Sequence, residues 1–417
     1  MLFNPQELQE WRYCIGQCIF LINGEAIKLS ELNVVAMEIF NDYANSIYSI
    51  FRMNFVLDDA TYYKAIKNKT SLRMKLEIQK YYNTPKRGGS SLKKTYLKGT
   101  YATIEDSSDE YRLRSSDRAE KEDDAYIGAG TNNFRNTLEL YFYKEEVATG
   151  FKKQINNILN NVTLSSAIAY SLTEAGLYNS VIMSPLENNK TYPVLLLPPI
   201  TIDKLLLHLD ACYGFYKRGS MIFFGVDRGY ILNFKGECTA FENNELTETC
   251  VYIPNESTPS ETQMGSLPSD GNKNYIVWNY GKVGFTNQSV ISDVLHGSNT
   301  TVVSSKNANI NSYTSRTITN GAQNTTMVEN KGDNKWLGET ITAQNNSKSI
   351  ILAGSMSGVD LSSLTPNKKY TMVFEDNTIT NKYRGNYMLT NLTVKFINDT
   401  ARSDFNIAVA VEFRKMM

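Results

Sequence analysis

Hydrophobic and polar residues alternate with a period of two near both ends of this chain, and fall at helical spacing mainly in its middle. The clearest early case is Ser71 to Tyr82, where Leu72, Met74, Leu76 and Ile78 point one way and Arg73, Lys75, Glu77 and Gln79 the other. That is the signature of a half-buried strand. Ser46 to Leu57 alternates similarly through Ile47, Phe51, Met53 and Phe55, with Ser49 the exception. Tyr13 to Ile22 is apolar and ends in Asn23-Gly24, a hairpin-turn signal. Ile27 to Phe40 alternates in part. Asn136 to Tyr143 resumes the pattern with Leu138, Leu140 and Phe142, and is expected to pair with the 71–82 strand. Near the C-terminus, Tyr370 to Phe374 reads as a strand, and Tyr387 to Ile397 as another with Met388, Leu392, Val394 and Phe396 on one face. Phe405, Ile407, Val409, Val411 and Phe413 then alternate with Asn406, Ala408, Ala410, Glu412 and Arg414. These last two segments predict an antiparallel hairpin with one face in a core. No room for an appended catalytic domain is expected after it.

The middle is the most legible stretch. In Pro198 to Phe234, Thr201 is the expected N-cap of a helix and Ile200 can staple onto Leu205. Leu205, Leu206, Leu209, Cys212 and Tyr213 form one apolar face, Asp203 suits the positive end of the helix dipole, and Gly214 stops the helix. Met221 to Val226 and Tyr230 to Phe234 then form a hairpin around Asp227-Arg228-Gly229. Asp58 is expected to cap a short helix over residues 59–67, and Ser165 to Glu174 is helix-like. Gly150 to Val162 is read as a short linking helix, Tyr192 to Leu197 as an irregular apolar approach, and Cys250 to Pro254 as a strand.

Breaks in pattern divide the chain. Residues 83–134 hold a basic piece without an acid from Pro85 to Gly99, then an acidic piece from Glu105 to Asp124. A long solvated loop is the favoured reading, ahead of an arm reaching a neighbouring subunit. Residues 255–273, rich in Ser, Pro, Asn and Gly, mark a boundary. The polar stretch 286–349 fits short strands, a surface loop or both. Three domains are expected: residues 1–150, β-rich with the charged loop; 151–255, mixed α/β; and 256–417, β-rich with the polar insertion.

Composition then narrows the function. The 417 residues carry 43 basic and 43 acidic side chains. A formally neutral chain argues against nucleic acid as the main partner, because phosphate binding needs a basic surface. The only histidines are His208 and His296, which weighs against histidine-based catalysis and histidine-rich metal sites. Five cysteines (14, 18, 212, 238 and 250) without a C-x-x-C pair fit a reduced, intracellular product. Cys14 and Cys18 lie in an apolar run and are read as buried structural thiols. Neither a signal peptide nor a membrane-spanning helix is evident. There is no phosphate-binding G-x-x-x-x-G-K-[ST], and Gly281-Lys282 lacks its context. Gly354-Ser355-Met356-Ser357-Gly358 misplaces its serines for a nucleophile elbow. The carboxylate pairs Glu145-Glu146 and Asp123-Asp124 are read as solvated charge, and Tyr62-Tyr63, Tyr81-Tyr82 and Phe223-Phe224 as core and interface rather than sugar platforms. No catalytic, cofactor-binding or metal-binding residue is assigned, and no cofactor is expected.

One resemblance adds to this. Residues 27–82, running IKLSELNVVAMEIFNDYANSIYSIFRMNFVLDDATYYKAIKNKTSLRMKLEIQKYY, resemble the first tube-like barrel of contractile-tail phage baseplate hub proteins, the late-control D and VgrG family. LLLHLDACYGFYKRGSMIFFGVDRGYIL is similar to the helix and hairpin of its middle domain, and YMLTNLTVKFIND with FNIAVAVEFRKM to the last strands of its second barrel. The resemblance implies an α+β, mainly β fold, with two tail-tube-like antiparallel barrels flanking the mixed middle. It further implies a homotrimer whose paired barrels form a ring of sixfold character. That ring would adapt the sixfold tail tube to the threefold central spike, contact other baseplate proteins and line part of the DNA channel. Such a hub is made in the host cytoplasm, resides in the virion tail baseplate, binds no specific nucleic acid sequence and is not itself an enzyme. The alternatives are a tube initiator or distal tail protein, a carbohydrate-binding adhesin and, last, a cell-wall hydrolase.

Overall fold

The alternating segments from the two ends of the chain meet in one sheet. The computed structural model describes residues 7–84, 89–104, 136–217, 219–233, 248–254, 264–270, 273–278, 283–287, 299–307, 310–319, 322–329, 350–375, 383–399 and 404–416. The first strands are β1 (Glu10–Ile22), β2 (Glu25–Leu29), β3 (Val34–Asp42) and β4 (Ile50–Leu57). Asn23 and Gly24 turn β1 into β2 with φ of 50° and 84°, the left-handed pair that a two-residue hairpin loop requires. Helix α1 (Asp59–Lys67) follows, and the Asp58 carboxylate accepts the Thr61 N–H at 2.9 Å as its cap. Then come β5 (Arg73–Asn83), β6 (Lys94–Thr103) and β7 (Asn136–Lys144).

The middle supplies α2 (Glu145–Gly150), β8 (Gln154–Thr163), α3 (Leu164–Ala175), β9 (Val181–Met183), β10 (Thr191–Thr201), α4 (Ile202–Tyr213), β11 (Ser220–Phe224) and β12 (Gly229–Asn233). The last third supplies β13 (Glu248–Ile253), β14 (Gly265–Asp270), β15 (Lys273–Val277), β16 (Val283–Asn287), β17 (Asn299–Asn307), β18 (Ile310–Thr319), β19 (Ala322–Glu329), β20 (Ile350–Met356), β21 (Lys369–Phe374), β22 (Gly385–Asp399) and β23 (Asp404–Lys415).

Eight of these strands close into an antiparallel barrel in the order β22-β3-β4-β7-β6-β5-β1-β23, with β23 returning to β22. Its inward positions are the apolar sets read from the sequence. Phe20, Phe51, Phe55, Phe142, Tyr101 and Phe396 are all fully buried. Phe20 meets Phe55 edge to face at 4.9 Å, and Phe51 meets Tyr101 at 5.2 Å. These are the favoured geometries of buried aromatic pairs.

The β22–β23 hairpin is shared by the barrel and a second run of strands in the same sheet. Its tip half, Asn391 to Ile397, pairs with β3, while Phe405 pairs with Tyr13 of β1. Its base half pairs with β21 through Gly385 to Tyr387 and with β20 through Val409 to Arg414. A register shift between Leu389 and Asn391 separates the halves. That is how a bulge bends a strand from one run into another. The base half lies inside a second run of strands, β14-β15-β13-β21-β22-β23-β20-β16. A clasp also ties the two parts. The Lys80 ammonium on β5 donates to both Asp360 oxygens at 2.7 and 2.8 Å and sits 4.8 Å from the Trp11 ring centroid, while the Leu361 N–H donates to the Tyr13 hydroxyl at 2.7 Å.

A separate hydrophobic core lies in the middle segment, where α3 and α4 pack on the β8–β10 ribbon. Thr163 caps α3 by accepting from the Ser166 N–H. Thr201 is the N-cap of α4, although its side chain makes no cap bond, and Gly214 ends the helix with φ of 71°. Leu205, Leu206 and Leu209 are fully buried, whereas Cys212 and Tyr213 are only half-buried. The β11–β12 hairpin stands between the two cores. Met221, Phe223, Tyr230 and Leu232 face the barrel-side core, while Ile222, Phe224 and Ile231 face the other. A strand buried on both faces needs the unbroken apolar run that Met221 to Phe224 provides.

Several sequence expectations change. The 71–82 strand does not pair with 136–143, because β6 lies between β5 and β7. Part of the basic piece is therefore a strand, whose outward face carries lysines. The acidic piece lies outside the described residues. Residues 154–163 form strand β8, and the helix sits earlier, at α2. The 192–197 stretch is strand β10, and each of these two strands exists because the other supplies its backbone partners. In the polar stretch, β17, β18 and β19 form a three-stranded antiparallel sheet.

Two outcomes follow for stability. Phe223→Ala empties a site against Tyr43, whose ring centroid lies 4.7 Å away. It should cost about 3–5 kcal/mol in chemical denaturation, against under about 0.5 kcal/mol for a change at an exposed side chain such as Lys67→Ala. The Glu248 carboxylate accepts from the Thr371 hydroxyl at 2.8 Å and pairs with Lys273 at 3.3 Å and Lys369 at 4.0 Å. Burial pushes its pKa up, but these donors outweigh it and hold the pKa below the ordinary value of 4.5. Its contribution is therefore complete above pH 4.5 and is lost as pH falls through the lowered pKa. Glu248→Gln should therefore lower stability at pH 7, where the contribution is complete, and converge on the parent as pH falls through the lowered pKa, which flattens the acid limb in denaturation measured against pH.

Candidate assembly surface

The outside of a half-buried sheet should be polar, and one side of this barrel is not. On β3 the pleat turns Glu38 and Phe40 outward while Met37, Ile39 and Asn41 point in. Phe40 stands directly opposite Ile50 on β4 and Thr393 on β22. Phe40 is 36% exposed and Ile50 47%. One rung further, the outward row is charged. Arg52 donates to Glu38 at 2.6 Å, Lys395 lies 2.9 Å from the same carboxylate, and Arg52 lies 3.7 Å from Glu139. The Tyr141 hydroxyl donates to Glu139 at 2.7 Å. Burial pushes the Tyr141 hydroxyl pKa up, and the Glu139 charge adds to it. Beyond that row, Ile397 stands opposite Ala36 and is 53% exposed, with Leu32 and Val35 exposed nearby. The barrel strands β22-β3-β4-β7 thus present apolar, charged and apolar bands in succession. Exposed apolar side chains beside a charged row are the composition found at surfaces where proteins meet.

A second apolar exposure lies on the middle segment. Ile158 on β8 stands opposite Leu196 on β10, with Val194 beside them, and all three are mostly exposed. Their neighbours Leu195 and Leu197 point into the core.

The residues weighed for chemistry are scattered. His208 is exposed on α4, its ring nitrogens 3.7 and 3.8 Å from the Cys212 sulfur. Cys14 and Cys18 are buried, and burial pushes the Cys18 thiol up to about 12, which makes it inert. Glu145 pairs with Arg73, and Glu146 with Lys144 and Ser180. The Tyr81 hydroxyl donates to Asp404 at 2.7 Å, and Tyr82 packs on Trp11 at 5.0 Å. Tyr62 is buried beside an exposed Tyr63, and Phe223 and Phe224 are core. His296, Asp123, Asp124, Cys238 and Gly281-Lys282 lie outside the described residues. Among the described residues, no group of three or more His, Cys, Asp or Glu side chains could hold a metal ion. No helix there is long and apolar enough to cross a membrane. Sequence reasoning passed over Phe40 and Ile50. Their signal was available: each is a large apolar residue at a position where strict alternation calls for a polar one.

The sequence model of the family described as "Bacteriophage PBS1 gene 109 protein" matches residues 8–413. No curated protein matches the chain. Among solved structures, the tail protein from Neisseria meningitidis MC58 is 9% identical, with 97% of this chain and 96% of that one covered at a TM-score of 0.47. The 43 kDa tail protein of prophage MuSo2 from Shewanella oneidensis is 8% identical, with 95% and 96% covered at 0.42. The E. coli c3393 protein, a component of the type VI secretion system, is 8% identical, with 94% and 76% covered at 0.42.

Replacing the exposed pair by an opposite-charge pair, Phe40→Glu with Ile50→Lys, should leave the unfolding midpoint of the isolated chain within about 1 kcal/mol of the parent, since neither side chain is in the core. Chemical denaturation at low protein concentration checks this.

Proposed function

Because the chain belongs to the family of the bacteriophage PBS1 gene 109 protein, we propose that it is the structural hub of a phage tail baseplate. In this reading it is a non-enzymatic virion component and forms a homotrimeric ring. Each subunit contributes two β units to the ring, one centred on residues 1–150 and one on 256–417, braced by the mixed segment 151–255. Six such units from three chains give the ring sixfold character towards the tail tube and threefold character towards the central spike, with the DNA channel along its axis. Other baseplate proteins dock around it.

The observation that carries this reading is the outer face of the barrel. Phe40, Ile50 and Ile397 are apolar side chains held outward on a closed barrel, flanking an alternating charge row. Ring contact between barrels gives such a face a partner. Formal neutrality of the chain agrees with packing into an assembly and with a channel that passes DNA without gripping it.

Mass measurement in solution tests the reading. A stable trimer of 47.1 kDa chains is expected, and averaged images of the particle should show a threefold ring with sixfold character. The Phe40→Glu, Ile50→Lys variant should run as a folded monomer. A hexamer would favour a tube protein. A monomer that binds glycans would favour an adhesin, and release of fragments from peptidoglycan would overturn the non-enzymatic assignment.

A further inference from the structure

A cavity of about 180 Å³ lies where three parts of the chain meet: the barrel, the β11–β12 turn and the loop over residues 361–368. Its wall holds two buried polar atoms that no group of the described residues reaches, Asn41 Oδ1 and Thr365 Oγ1. Asn41 is only 6% exposed, and it is the one polar residue at an inward position of β3. Its Nδ2 donates to the Tyr43 hydroxyl at 3.0 Å, so that hydroxyl accepts there and can turn its own proton to the cavity. A buried acceptor left without a donor is strongly disfavoured, and native structures satisfy such atoms with protein or ordered water.

The charged groups on the same wall are already engaged. Asp227 accepts from the Tyr230 hydroxyl at 3.1 Å and lies 3.7 Å from Arg228, and the Lys368 ammonium donates to the Ser362 carbonyl at 2.6 Å. The groups left over for a guest include two neutral ones, the Asn41 amide oxygen and the Thr365 hydroxyl, with the Tyr43 hydroxyl beside them. An amide oxygen in the wall disfavours an anion beside it, and the Asp227 carboxylate is engaged with Tyr230 and Arg228. The volume falls below the roughly 300 Å³ at which organic ligand sites begin, and well above the 10–15 Å³ that a single water needs.

We infer that this cavity is a built water site, holding a small cluster of ordered waters that bridges Asn41 and Tyr43 of the barrel to Thr365 of the loop. Water donates and accepts at once, so one species answers both the orphaned carbonyl and the hydroxyls. The seam between the barrel and the 361–368 loop is then held partly through solvent. Apolar packing alone does not explain an asparagine at that inward position.

A high-resolution crystal structure of the full chain, with and without Thr365→Val, tests this. Density for waters within about 3 Å of Asn41 Oδ1 and Thr365 Oγ1 is expected in the parent. Valine keeps the shape of threonine and the fold, and removes only the hydroxyl. The water beside residue 365 should disappear, and Tm should fall by about one to two degrees. A rise in Tm would mean that the hydroxyl had been an unsatisfied orphan, and would overturn the inference. So would xenon occupying the parent cavity under pressure, which marks a dry one. A buffer polyol or an ion in the cavity would overturn it as well.

Discussion

A barrel removes the exposed edges of a sheet only if its first and last strands meet. Here that contact is made by opposite ends of the chain. Tyr13 of β1 pairs with Phe405 of β23, and β22 pairs with β3, so the C-terminal hairpin is the stave that closes a barrel otherwise built from the first 144 residues. The middle segment and the second run of strands are therefore excursions between the opening and the closing of one object. Because the hairpin also continues into the second run, the same two strands fix the barrel and its neighbour in one register. Non-local closure of this kind forms late and slowly, since loop entropy must be met before the pairing returns anything.

The β11–β12 hairpin does for the middle segment what β22–β23 does for the second run. Alternate side chains along Met221 to Phe224 enter different cores, so neither core can shift without the other. The backbone joins in: the Phe224 N–H donates to the Ile47 carbonyl at 2.7 Å, and the Ser49 N–H to the Phe224 carbonyl at 3.0 Å. The Tyr101 hydroxyl reaches the Val226 carbonyl at 3.2 Å, across the same seam. The brace is thus a hydrogen-bonded strand contact with aromatic packing on both sides. The water-lined cavity sits at the end of this seam, where the apolar run gives way to the Asp227-Arg228 turn.

Much of this was legible in the sequence, and the rest has physical reasons for being hidden. Strands with one face in a core and one in water announce themselves, as at Leu72 to Ile78 and Phe405 to Phe413. So do caps and turns, which depend on a few local residues: Asp58, Asn23-Gly24 and Gly214 all act as their chemistry predicts. Strand β6 was hidden because its outward face is largely lysine, and SLKKTYLKG carries too few apolar residues for its period to show. Strand β8 was hidden because an Asn-rich run becomes a strand only when β10 supplies its partners. The unbroken Met221 to Phe224 run declared a fully buried strand, but a run cannot say that its two faces serve different cores. Which strands neighbour which, and that the ends of the chain close one barrel, are long-range facts that local patterning does not encode. Phe40 and Ile50 were legible only as imperfections of alternation, and their meaning needed the pleat direction to be known.

Closure also decides how this molecule can associate. The circuit is unevenly paired: β6 and β7 share the rungs from Tyr101–Lys144 to Thr103–Phe142, and β2 pairs with β1 alone, so most but not all of its backbone is engaged within the sheet. In the proposed hub, contact between barrels would run through outward side chains, and their pattern would supply specificity. The alternating row of Lys395, Glu38, Arg52 and Glu139 suits that role. Its charges are satisfied within the barrel, so it costs little when exposed, yet a displaced neighbour would set like charges against each other. Phe40, Ile50 and Ile397 flank the row and supply the apolar area that charge alone does not. Among the described residues, the β8–β10 ribbon has two open outer edges, since its strands pair only with each other, and β14 and β16 end the second run in the same way. In the proposed assembly, a barrel face that meets its neighbour by side-chain pattern and strand edges left open elsewhere would be two kinds of contact on one chain. The barrel face would set geometry, and an open edge such as the ribbon's is where an added strand would fit.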